Sequence, residues 1–264
     1  MIFYFTGTGN SLYAAKSLDE KIISIPQVID NPSLHFSADR IGIAAPVYGH
    51  EMPQMVKEFI RRAEFDTDYT FVILTYGNRH ANAVDLARNV FESAGKHVDY
   101  IHTVLMADNF LPAFDMREQA EMDKNVEGQL SKIKADIAEK KHDMEEVTQQ
   151  DRNVHEEYLK MVHGQRASIW ADFDFTDRCI GCGICAKVCP AGCIYLEGNR
   201  AVFTGDNCQA CMACVHSCPE MAIKVNKVLG LEEPNPKARY RNENVTLTEL
   251  VRSNCRKTIP AEAK

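Results

Sequence analysis

Two stretches of this chain decide its fold, and both space four cysteines in the same way. Residues 179–190 read CIGCGICAKVCP, and residues 208–219 read CQACMACVHSCP. Each stretch fits the pattern C-x2-C-x2-C-x3-C-P, which is the spacing of proteins that hold two iron–sulfur clusters. The two runs take all of the 10 cysteines except Cys193 and Cys255. The sequence therefore predicts two 4Fe–4S clusters in this part of the chain.

The spacing also predicts which cysteines share a cluster. Three thiolates separated by two residues can surround one face of a cubane, and the fourth, followed by proline, ligates the other cluster. One cluster is expected on Cys179, Cys182, Cys185 and Cys218. The other is expected on Cys208, Cys211, Cys214 and Cys189. Since these ligands complete both clusters, no iron is left open to a substrate, and the clusters are expected to carry electrons.

The two runs are halves of an internal repeat with a shift of 29 residues, from Cys179 to Cys208. The same shift places Cys193 opposite Ala222, so Cys193 is not expected to bind iron. A zinc ribbon is disfavoured because it needs two cysteine pairs rather than two runs of four. A disulfide framework is disfavoured because no signal peptide opens the chain. The C-x3-C-x2-C spacing of radical enzymes does not occur in these runs.

The bulk composition narrows the class of function. At 264 residues the chain has room for two domains, and its formal net charge is −7. Residues 1–150 carry 15 basic and 23 acidic side chains, a balance of −8, so the remainder carries +1. An acidic first half disfavours nucleic acid as a partner. No apolar run approaches the roughly 20 residues that span a bilayer. Iron-bound thiolates and the leaderless N-terminus predict a cytoplasmic protein.

The first 110 residues alternate between strand and helix patterns. Short apolar runs predict five strands, at residues 1–5, 21–25, 40–47, 69–75 and 98–106. Helical periodicity follows Ser11 and recurs over 52–62 and 82–95. Strands that alternate with helices predict an α/β fold, a doubly wound parallel sheet covered by helices on both faces.

The first domain is expected to cover residues 1–147 and to end in a long charged helix over 118–147. The apolar positions of this helix recur at helical spacing and predict a stripe that covers the sheet. The stripe consists of Val126, Leu130, Ile133 and Ile137. Residues 148–171 are polar and predict a linker, in which Trp170 is a candidate for packing on a domain.

A small α+β domain is expected over residues 172–228, with a hairpin turn at 197–200 between two apolar segments. Residues 229–264 form a C-terminal tail that begins with a proline-rich stretch. Within the tail a helix is predicted over 246–254, and the role of the tail is left open.

The loop after the first strand has the composition of a phosphate-binding site. It reads Thr6-Gly7-Thr8-Gly9-Asn10-Ser11 and joins a strand to the start of a helix. Backbone amides at a helix start and short hydroxyl side chains can hold a phosphate without a basic residue. A Walker loop would need Gly-Lys-Ser/Thr, and a dinucleotide fingerprint would need glycine at Leu12. A simple tight turn remains the alternative at this stage.

Two further loops strengthen the interpretation of a binding site. Pro46-Val47-Tyr48-Gly49 follows the third strand, and Thr75-Tyr76-Gly77-Asn78 follows the fourth. An open sheet with strand order 2-1-3-4-5 binds its ligand at the carboxyl ends of the strands, where all three loops lie. The tyrosines at 48 and 76 could stack on a flat ring, and the alternative is that they are partly buried surface residues.

Together these motifs resemble two known families. Residues 1–110 are similar to a flavodoxin: the loop at 6–11 matches its FMN phosphate loop, and those at 46–50 and 75–78 resemble its isoalloxazine loops. Residues 172–228 resemble a two-cluster ferredoxin of the bacterial type. The whole chain is similar to the fused flavodoxin–ferredoxin proteins of anaerobic bacteria and archaea. The resemblance implies FMN, two 4Fe–4S clusters and electron transfer with protein donors and acceptors.

Three functions are consistent with these motifs. The leading one is an electron-transfer protein that joins flavin and clusters in one chain, which raises the effective concentration of donor for acceptor. The second is an FMN-dependent reductase of a small acceptor such as a quinone or a nitro compound. Its candidate proton donors are His50, Glu51, His80 and Asp108. The third is a redox-sensing module.

Overall fold

The computed structural model describes residues 1–18, 20–162, 172–227 and 230–256, so Trp170 lies outside the described residues. The first half contains, in chain order, β1 (Ile2–Tyr4), α1 (Asn10–Lys16), β2 (Ile22–Ser24), α2 (Ile25–Val28), β3 (His35–Ser37), β4 (Ile41–Pro46), α3 (Gln54–Arg62), β5 (Glu64–Asp66), β6 (Thr70–Tyr76), α4 (Ala83–Ser93), β7 (Tyr100–Leu105), α5 (Met116–Glu121), α6 (Val126–Ala138), β8 (Asp143–Met144) and α7 (Gln149–Met161). The second half contains β9 (Phe173–Phe175), α8 (Ile184–Lys187), β10 (Ile194–Glu197), β11 (Arg200–Phe203), α9 (Ala213–Ser217), β12 (Ile223–Val225) and α10 (Leu247–Asn254).

The first half is built on one parallel sheet. Six strands follow the order β2-β1-β4-β6-β7-β8, and every neighbouring pair runs parallel. The predicted α/β architecture is confirmed. Two strands that were not predicted, β3 and β5, pair with each other as a separate parallel ribbon. Because the pairing is parallel, the carboxyl ends of β1, β4, β6 and β7 lie at the same edge of the sheet.

The central strands explain why the sheet could be predicted from the sequence. β4 is buried throughout and β6 along all but its last residue, so both read as near-continuous apolar runs. Beside them the rings of Phe3 and Phe59 pack with centroids 4.8 Å apart, and Phe36 and Phe65 join the same group. Phe59 lies on the buried side of α3. This core fixes the strands and therefore the loops that leave their carboxyl ends.

The prediction of one long helix over 118–147 is wrong. The segment contains α5, α6 and the short strand β8, which pairs with β7 at the edge of the sheet. The break before α6 has a physical cause, because Lys124 Nζ donates to the carbonyls of Gly77 and Met106, at 2.9 and 2.8 Å. Asn125 then adopts a left-handed φ of 47°. The stripe of Leu130, Ile133 and Ile137 is buried as predicted, and Val126 packs partly buried beside it.

The predicted linker over 148–171 instead begins with the helix α7. Thr148 and Asp151 form a capping box: the Thr148 hydroxyl accepts from the Asp151 amide at 3.2 Å, and the Asp151 carboxylate accepts from the Thr148 amide at 3.0 Å. This pairing satisfies two backbone donors at the start of the helix. The signal was present in the sequence as Thr-x-x-Asp. The helix carries His155 into a buried position.

The cysteine-rich half is a small α+β unit. β10 and β11 form an antiparallel hairpin, and β9 pairs antiparallel with β12. The predicted hairpin is therefore confirmed. The short helices α8 and α9 each begin one residue before the third cysteine of a run and so contain it.

The tail returns to the first half of the molecule. The Asn242 amide donates to the Thr8 carbonyl at 2.9 Å, and α10, the helix predicted over 246–254, packs against α2 and α8. The Asn254 side chain is fully buried and donates to the carbonyls of Thr6 and Val188, at 3.0 and 3.1 Å. The described part of the tail thus joins the two halves. None of the described helices is long and apolar enough to cross a membrane.

Candidate functional site: a cleft beside two cysteine cavities

One cleft collects the three predicted loops at the carboxyl edge of the sheet. It encloses about 1020 Å³ of space, open solvent at its mouth included. The predicted residues that line it are Thr6, Gly7, Thr8, Asn10, Ser11, Pro46, Val47, Tyr48, Gly49, Thr75, Tyr76, Gly77 and Asn78. Gly9 is outside this lining and precedes α1 with a φ of 107°. We call this space the cleft.

Hydroxyl groups hold the first loop in shape. The Thr6 hydroxyl accepts from the Gly9 amide at 3.0 Å, and the Ser11 and Thr75 hydroxyls share a hydrogen bond of 2.8 Å. The Thr8 hydroxyl accepts from the Asn109 side chain at 3.1 Å. The first amides of α1 have no acceptor within the helix, as at every helix start. The loop therefore presents amide donors, framed by buried hydroxyls, without a basic side chain.

Aromatic and imidazole rings also border the cleft, through Tyr158 and His50, and His155 packs beside them. The Tyr158 ring, on α7, lies 4.8 Å from the His50 ring, and the His155 ring lies 5.7 Å from it. Burial and the nearby positive groups, His155 first, lower the pKa of His50 to about 4. His50 is thus neutral near pH 7. Its left-handed φ of 67° is uncommon for a residue with a side chain.

The loop after β7 adds residues that sequence reasoning partly missed. Asp108 was named as a proton donor, whereas Asn109, Phe110 and Phe114 were not singled out, and all four line the cleft. Burial raises the pKa of Asp108. A Cβ atom on Gly77 would lie 2.2 Å from the Asp108 Cα atom, which explains the glycine. The carboxyl-end rule that found the other loops would also have found this one, because β7 ends just before it.

The eight motif cysteines surround two cavities. The outer cysteine cavity is bordered by Cys179, Cys182, Cys185 and Cys218. The inner cysteine cavity is bordered by Cys189, Cys208, Cys211 and Cys214, together with Cys193. The two sets brought together are the two sets that the spacing predicts as cluster ligands. The crossed arrangement, in which each run lends its last cysteine to the other cavity, is present in the fold.

The chemistry of both cavities suits an iron–sulfur cluster. Backbone amides donate to cysteine sulfurs, from Ala201 to Cys179 at 3.5 Å and from Ala222 to Cys218 at 3.3 Å. Such bonds to sulfur tune cluster potentials. Burial raises the pKa of the Cys214 thiol well above its usual range. A thiolate at this depth needs a cationic partner, which iron supplies.

The inner cysteine cavity adjoins the cleft. A Cβ atom on Gly7 would lie 2.5 Å from the Cys211 carbonyl oxygen, so the backbone of the loop at 6–11 and the second cysteine run are in direct contact. Asn109 bridges them, since its amide group lies 3.1 Å from the Thr8 hydroxyl and 3.5 Å from the Cys211 carbonyl. Ala210 and Met212, on either side of Cys211, line the cleft. None of the sequence motifs indicates this shared wall.

The outer cysteine cavity faces solvent instead. Cys182 is exposed, and Ile180 is 62% exposed. Tyr195 and Leu196, on β10, are also large apolar side chains with high exposure, at 47% and 41%. The two cavities therefore differ in what covers them.

Comparisons with known proteins identify the second half. A family model described as 4Fe-4S dicluster domain matches residues 172–219. The chain is 47% identical over 47 residues to a protein of the ion-translocating oxidoreductase complex of Methanosarcina acetivorans, and this stretch is 18% of each chain. This part of the chain is a 4Fe–4S ferredoxin domain.

Two further relatives share a stretch of similar length. Pyruvate synthase subunit PorD of Methanothermobacter marburgensis is 39% identical over 51 residues, which are 19% of this chain and 59% of that protein. Ferredoxin-1 of Caulobacter vibrioides is 41% identical over 51 residues, which are 19% of this chain and 45% of that protein. The chain therefore spans less than two thirds of each of these relatives.

Proposed function

We propose that this chain passes electrons between two 4Fe–4S clusters and FMN, and exchanges them with protein redox partners. The observation that carries the proposal is the wall shared by the inner cysteine cavity and the cleft, formed by Ala210, Cys211 and Met212. Electron tunnelling needs proximity, and this wall sets the proposed inner cluster directly beside the cleft. The similarity to a ferredoxin and to components of redox complexes supports the same function.

The residues of the cleft fit FMN. The loop of Thr6, Gly7, Thr8, Gly9, Asn10 and Ser11 would hold the phosphate through its amides, with its shape kept by the hydroxyl bonds described above. The loops at 46–49 and 75–78 would flank the isoalloxazine ring, with Tyr48 and Tyr76 as candidate stacking partners. The strand order β2-β1-β4-β6-β7 supports a flavodoxin-like first domain. When bound, FMN supplies both one-electron and two-electron chemistry.

The residues of the two cavities fit 4Fe–4S clusters. We assign the outer cluster to Cys179, Cys182, Cys185 and Cys218. We assign the inner cluster to Cys208, Cys211, Cys214 and Cys189. The convergence of four thiols in each cavity and the amide–sulfur bonds support this assignment.

The different surroundings suggest an order for the electron path. The outer cysteine cavity lies beside exposed apolar side chains, where a protein partner can approach its ligands. The inner cysteine cavity shares Met212 with the lining of the cleft and touches Gly7 through Cys211, whereas the residues that line the outer cavity are all different from those of the cleft. Electrons from a partner would therefore reach the outer cluster first and the flavin last, and the reverse path is equally open.

One observation favours the reductase as a second candidate. Asp108 is buried against the cleft with a raised pKa, so it could deliver a proton to a group bound there. A reductase of a small acceptor needs such a donor, whereas transfer of single electrons does not. Steady-state turnover with quinones or nitro compounds, lost in Asp108→Asn, would favour this function.

Cofactor analysis tests the assignment of FMN and the clusters. Anaerobically purified protein is expected to contain about eight iron and eight sulfide per chain, as two cubanes require.

FMN is expected to bind more tightly than riboflavin. Thr8→Ala should weaken FMN binding by about 1.5–3 kcal/mol, the range for a hydrogen bond to a charged group, and leave riboflavin binding unchanged. Recovery of zinc without sulfide, or of FAD instead of FMN, would contradict the assignment.

Rapid mixing tests the internal path. The full chain, loaded with FMN, is mixed anaerobically with a low-potential donor while cluster and flavin absorption are followed separately. Cluster reduction should precede flavin reduction, and the flavin step should not depend on protein concentration. A flavin step whose rate rises with protein concentration would mean that electrons pass between chains, and the proposal would fail.

A further inference from the structure

A second cluster of ligand-type side chains lies at the amino end of the sheet, away from the cleft. His97, Asp99 and His142 each turn one ligand atom toward the same point, and these atoms lie within 4.8 Å of one another. The carboxylate oxygen Oδ1 of Asp99 is 3.0 Å from His97 Nε2 and 3.1 Å from His142 Nδ1. Two imidazoles thus meet on one carboxylate oxygen.

The fold brings these three residues together from separate segments. Asp99 stands immediately before β7, and its amide donates to the Thr70 carbonyl at 2.8 Å. His142 stands immediately before β8, where the Asp143 amide donates to the Asp99 carbonyl at 3.1 Å. His97 lies in the connection between α4 and β7. The parallel register of β7 and β8 therefore places Asp99 and His142 side by side.

The central carboxylate is held in place by the backbone. Asp99 is 7% exposed, and its Oδ2 atom accepts from the Thr70 amide at 2.8 Å. The ring of His142 packs edge-on against Tyr69, with centroids 6.0 Å apart. Outer contacts of this kind orient ligand groups in metal sites. Oδ1 remains directed at the two imidazoles.

We propose that His97, Asp99 and His142 bind a Zn²⁺ ion. Zinc binds imidazole nitrogen and carboxylate oxygen at about 2.0–2.1 Å, which sets neighbouring ligand atoms about 3.3 Å apart in a tetrahedron. The two nitrogen–oxygen distances already lie close to that separation. The side chains of His97 and His142 are 80% and 72% exposed, so their rings can turn to complete the geometry.

The remaining coordination positions face solvent and would hold water. Imidazole ligands suit zinc, whereas calcium and magnesium require oxygen ligands. The site is distinct from the sulfur ligands of the second half. Its effect would be to fasten the two-residue strand β8 to β7, because it links the residues that precede both strands.

Other histidine–carboxylate contacts differ from this group. Among the described residues, His35 meets Glu64 at 3.3 Å, and His102 meets Asp143 at 3.0 Å, each with one imidazole on the contacted oxygen. Within the part of the chain that the structure describes, two rings meet on the same carboxylate oxygen only at Asp99. The pair of His35 and Glu64 is exposed on both sides and has one imidazole where the proposed site has two. His35→Ala is therefore a matched control.

The test uses the anaerobic full-length protein with its clusters intact. After washing with a chelator, zinc chloride is titrated in competition with a zinc-sensitive dye, and the bound zinc is examined by X-ray absorption. We expect one site with nitrogen and oxygen ligands at about 2.0–2.1 Å, without sulfur at about 2.3 Å. Zinc should also raise the unfolding temperature of the protein.

Variants at the exposed histidines make the result decisive without risking the fold. His97→Ala and His142→Ala should each raise the Kd for zinc at least tenfold, since loss of even an outer contact costs about 10–100-fold. Both should cancel the zinc-dependent rise in unfolding temperature, and His35→Ala should change neither. Bound zinc with a sulfur shell, a Kd unchanged in both histidine variants, or no saturable binding would each overturn the proposal.

Discussion

The outer and inner cysteine cavities share one sequence pattern and differ in exposure and in what lies against them. The outer one has an exposed ligand, Cys182, beside Ile180, which is 62% exposed. In the inner one, Cys211 and Cys214 are each only 7% exposed, and the Gly7 backbone lies against the Cys211 carbonyl. Spacing along the chain sets which cysteines meet. Packing between the two halves of the molecule decides which cluster site is open to a partner and which adjoins the cleft.

Backbone conformation repeats between the two cavities even where the residues do not. Gly181 and Gly183 have φ of 68° and 72°, and the residues 29 positions later, Ala210 and Met212, have φ of 52° and 57°. A residue with a side chain is disfavoured in this region by about 1–2 kcal/mol. In the inner run, however, these two side chains line the cleft. Contact with the cleft wall accounts for non-glycine residues there.

The largest expected effect separates the two cavities by their ligands. Cys182→Ser and Cys211→Ser should each remove one cluster, lowering iron from about eight to about four per chain. Only Cys211→Ser removes the cluster beside the cleft, so it should abolish the concentration-independent flavin step measured with a small low-potential reductant. Cys182→Ser should retain that step.

The control for both variants is Cys255→Ser, which changes an exposed cysteine outside the two runs. It should leave the iron content and the flavin step intact. Equal loss of the flavin step in Cys182→Ser and Cys211→Ser would contradict the distinction between an inner and an outer cluster.

The second-largest expected effect is a loss of stability when the buried Asn254 side chain, which joins the two halves of the molecule, is removed. Asn254→Ala removes the donor to the Thr6 and Val188 carbonyls and leaves both buried without it. Each unsatisfied buried group costs about 1–3 kcal/mol, so the free energy of unfolding should fall by at least about 2 kcal/mol. Anaerobic thermal unfolding measures this loss. Because Thr6 belongs to the loop that lines the cleft, FMN affinity should fall as well, whereas Asn244→Ala, at an exposed position of the tail, should leave both unchanged.

These contacts also mark the limit of what the sequence could predict. The strands β1, β2, β4, β6 and β7 were readable because apolar runs and periodicity are local. The cysteine sets could also be predicted from the sequence, because the spacing of the cysteines within each run is a local pattern. The hydrogen bond from Asn254 to Thr6 joins residues 248 positions apart, and no sequence pattern in either segment predicts it.

The two incorrect predictions, one long helix over 118–147 and a linker over 148–171, have different causes. The break in the helix predicted over 118–147 depends on Lys124 reaching the carbonyls of Gly77 and Met106, which are supplied by other strands. That interaction has no local signature. The helix α7, in contrast, had a local signal in Thr148 and Asp151 that polar composition obscured. The assignments of FMN and of the cluster ligands to individual residues remain predictions.

A smaller effect compares the left-handed positions of the two runs. Gly181→Ala would place a Cβ atom 2.6 Å from the Asn199 carbonyl at a φ of 68°, so it should destabilise the outer loop by about 1–3 kcal/mol. Ala210→Gly relieves the same backbone preference at the inner position and should raise the free energy of unfolding by up to about 1 kcal/mol. Anaerobic unfolding of both variants measures the difference. If both variants destabilise the protein equally, the two loops do not share the backbone constraint.

The smallest effect is expected at Cys193, the one cysteine in a cavity that the repeat excludes as a ligand. Its sulfur lies 3.4 Å from that of Cys189 in the inner cysteine cavity, and the matching position beside the outer one is Ala222. Cys193→Ser should leave about eight iron per chain, because four other thiols complete the inner site. Ala222→Cys gives the outer cavity the same extra thiol and should also leave the iron content unchanged. Loss of about four iron in Cys193→Ser would make Cys193 a ligand and end the equivalence of the two halves. The same conclusion would follow if Cys189→Ser kept its iron and lost it only when combined with Cys193→Ser, since Cys193 would then be able to replace its neighbour.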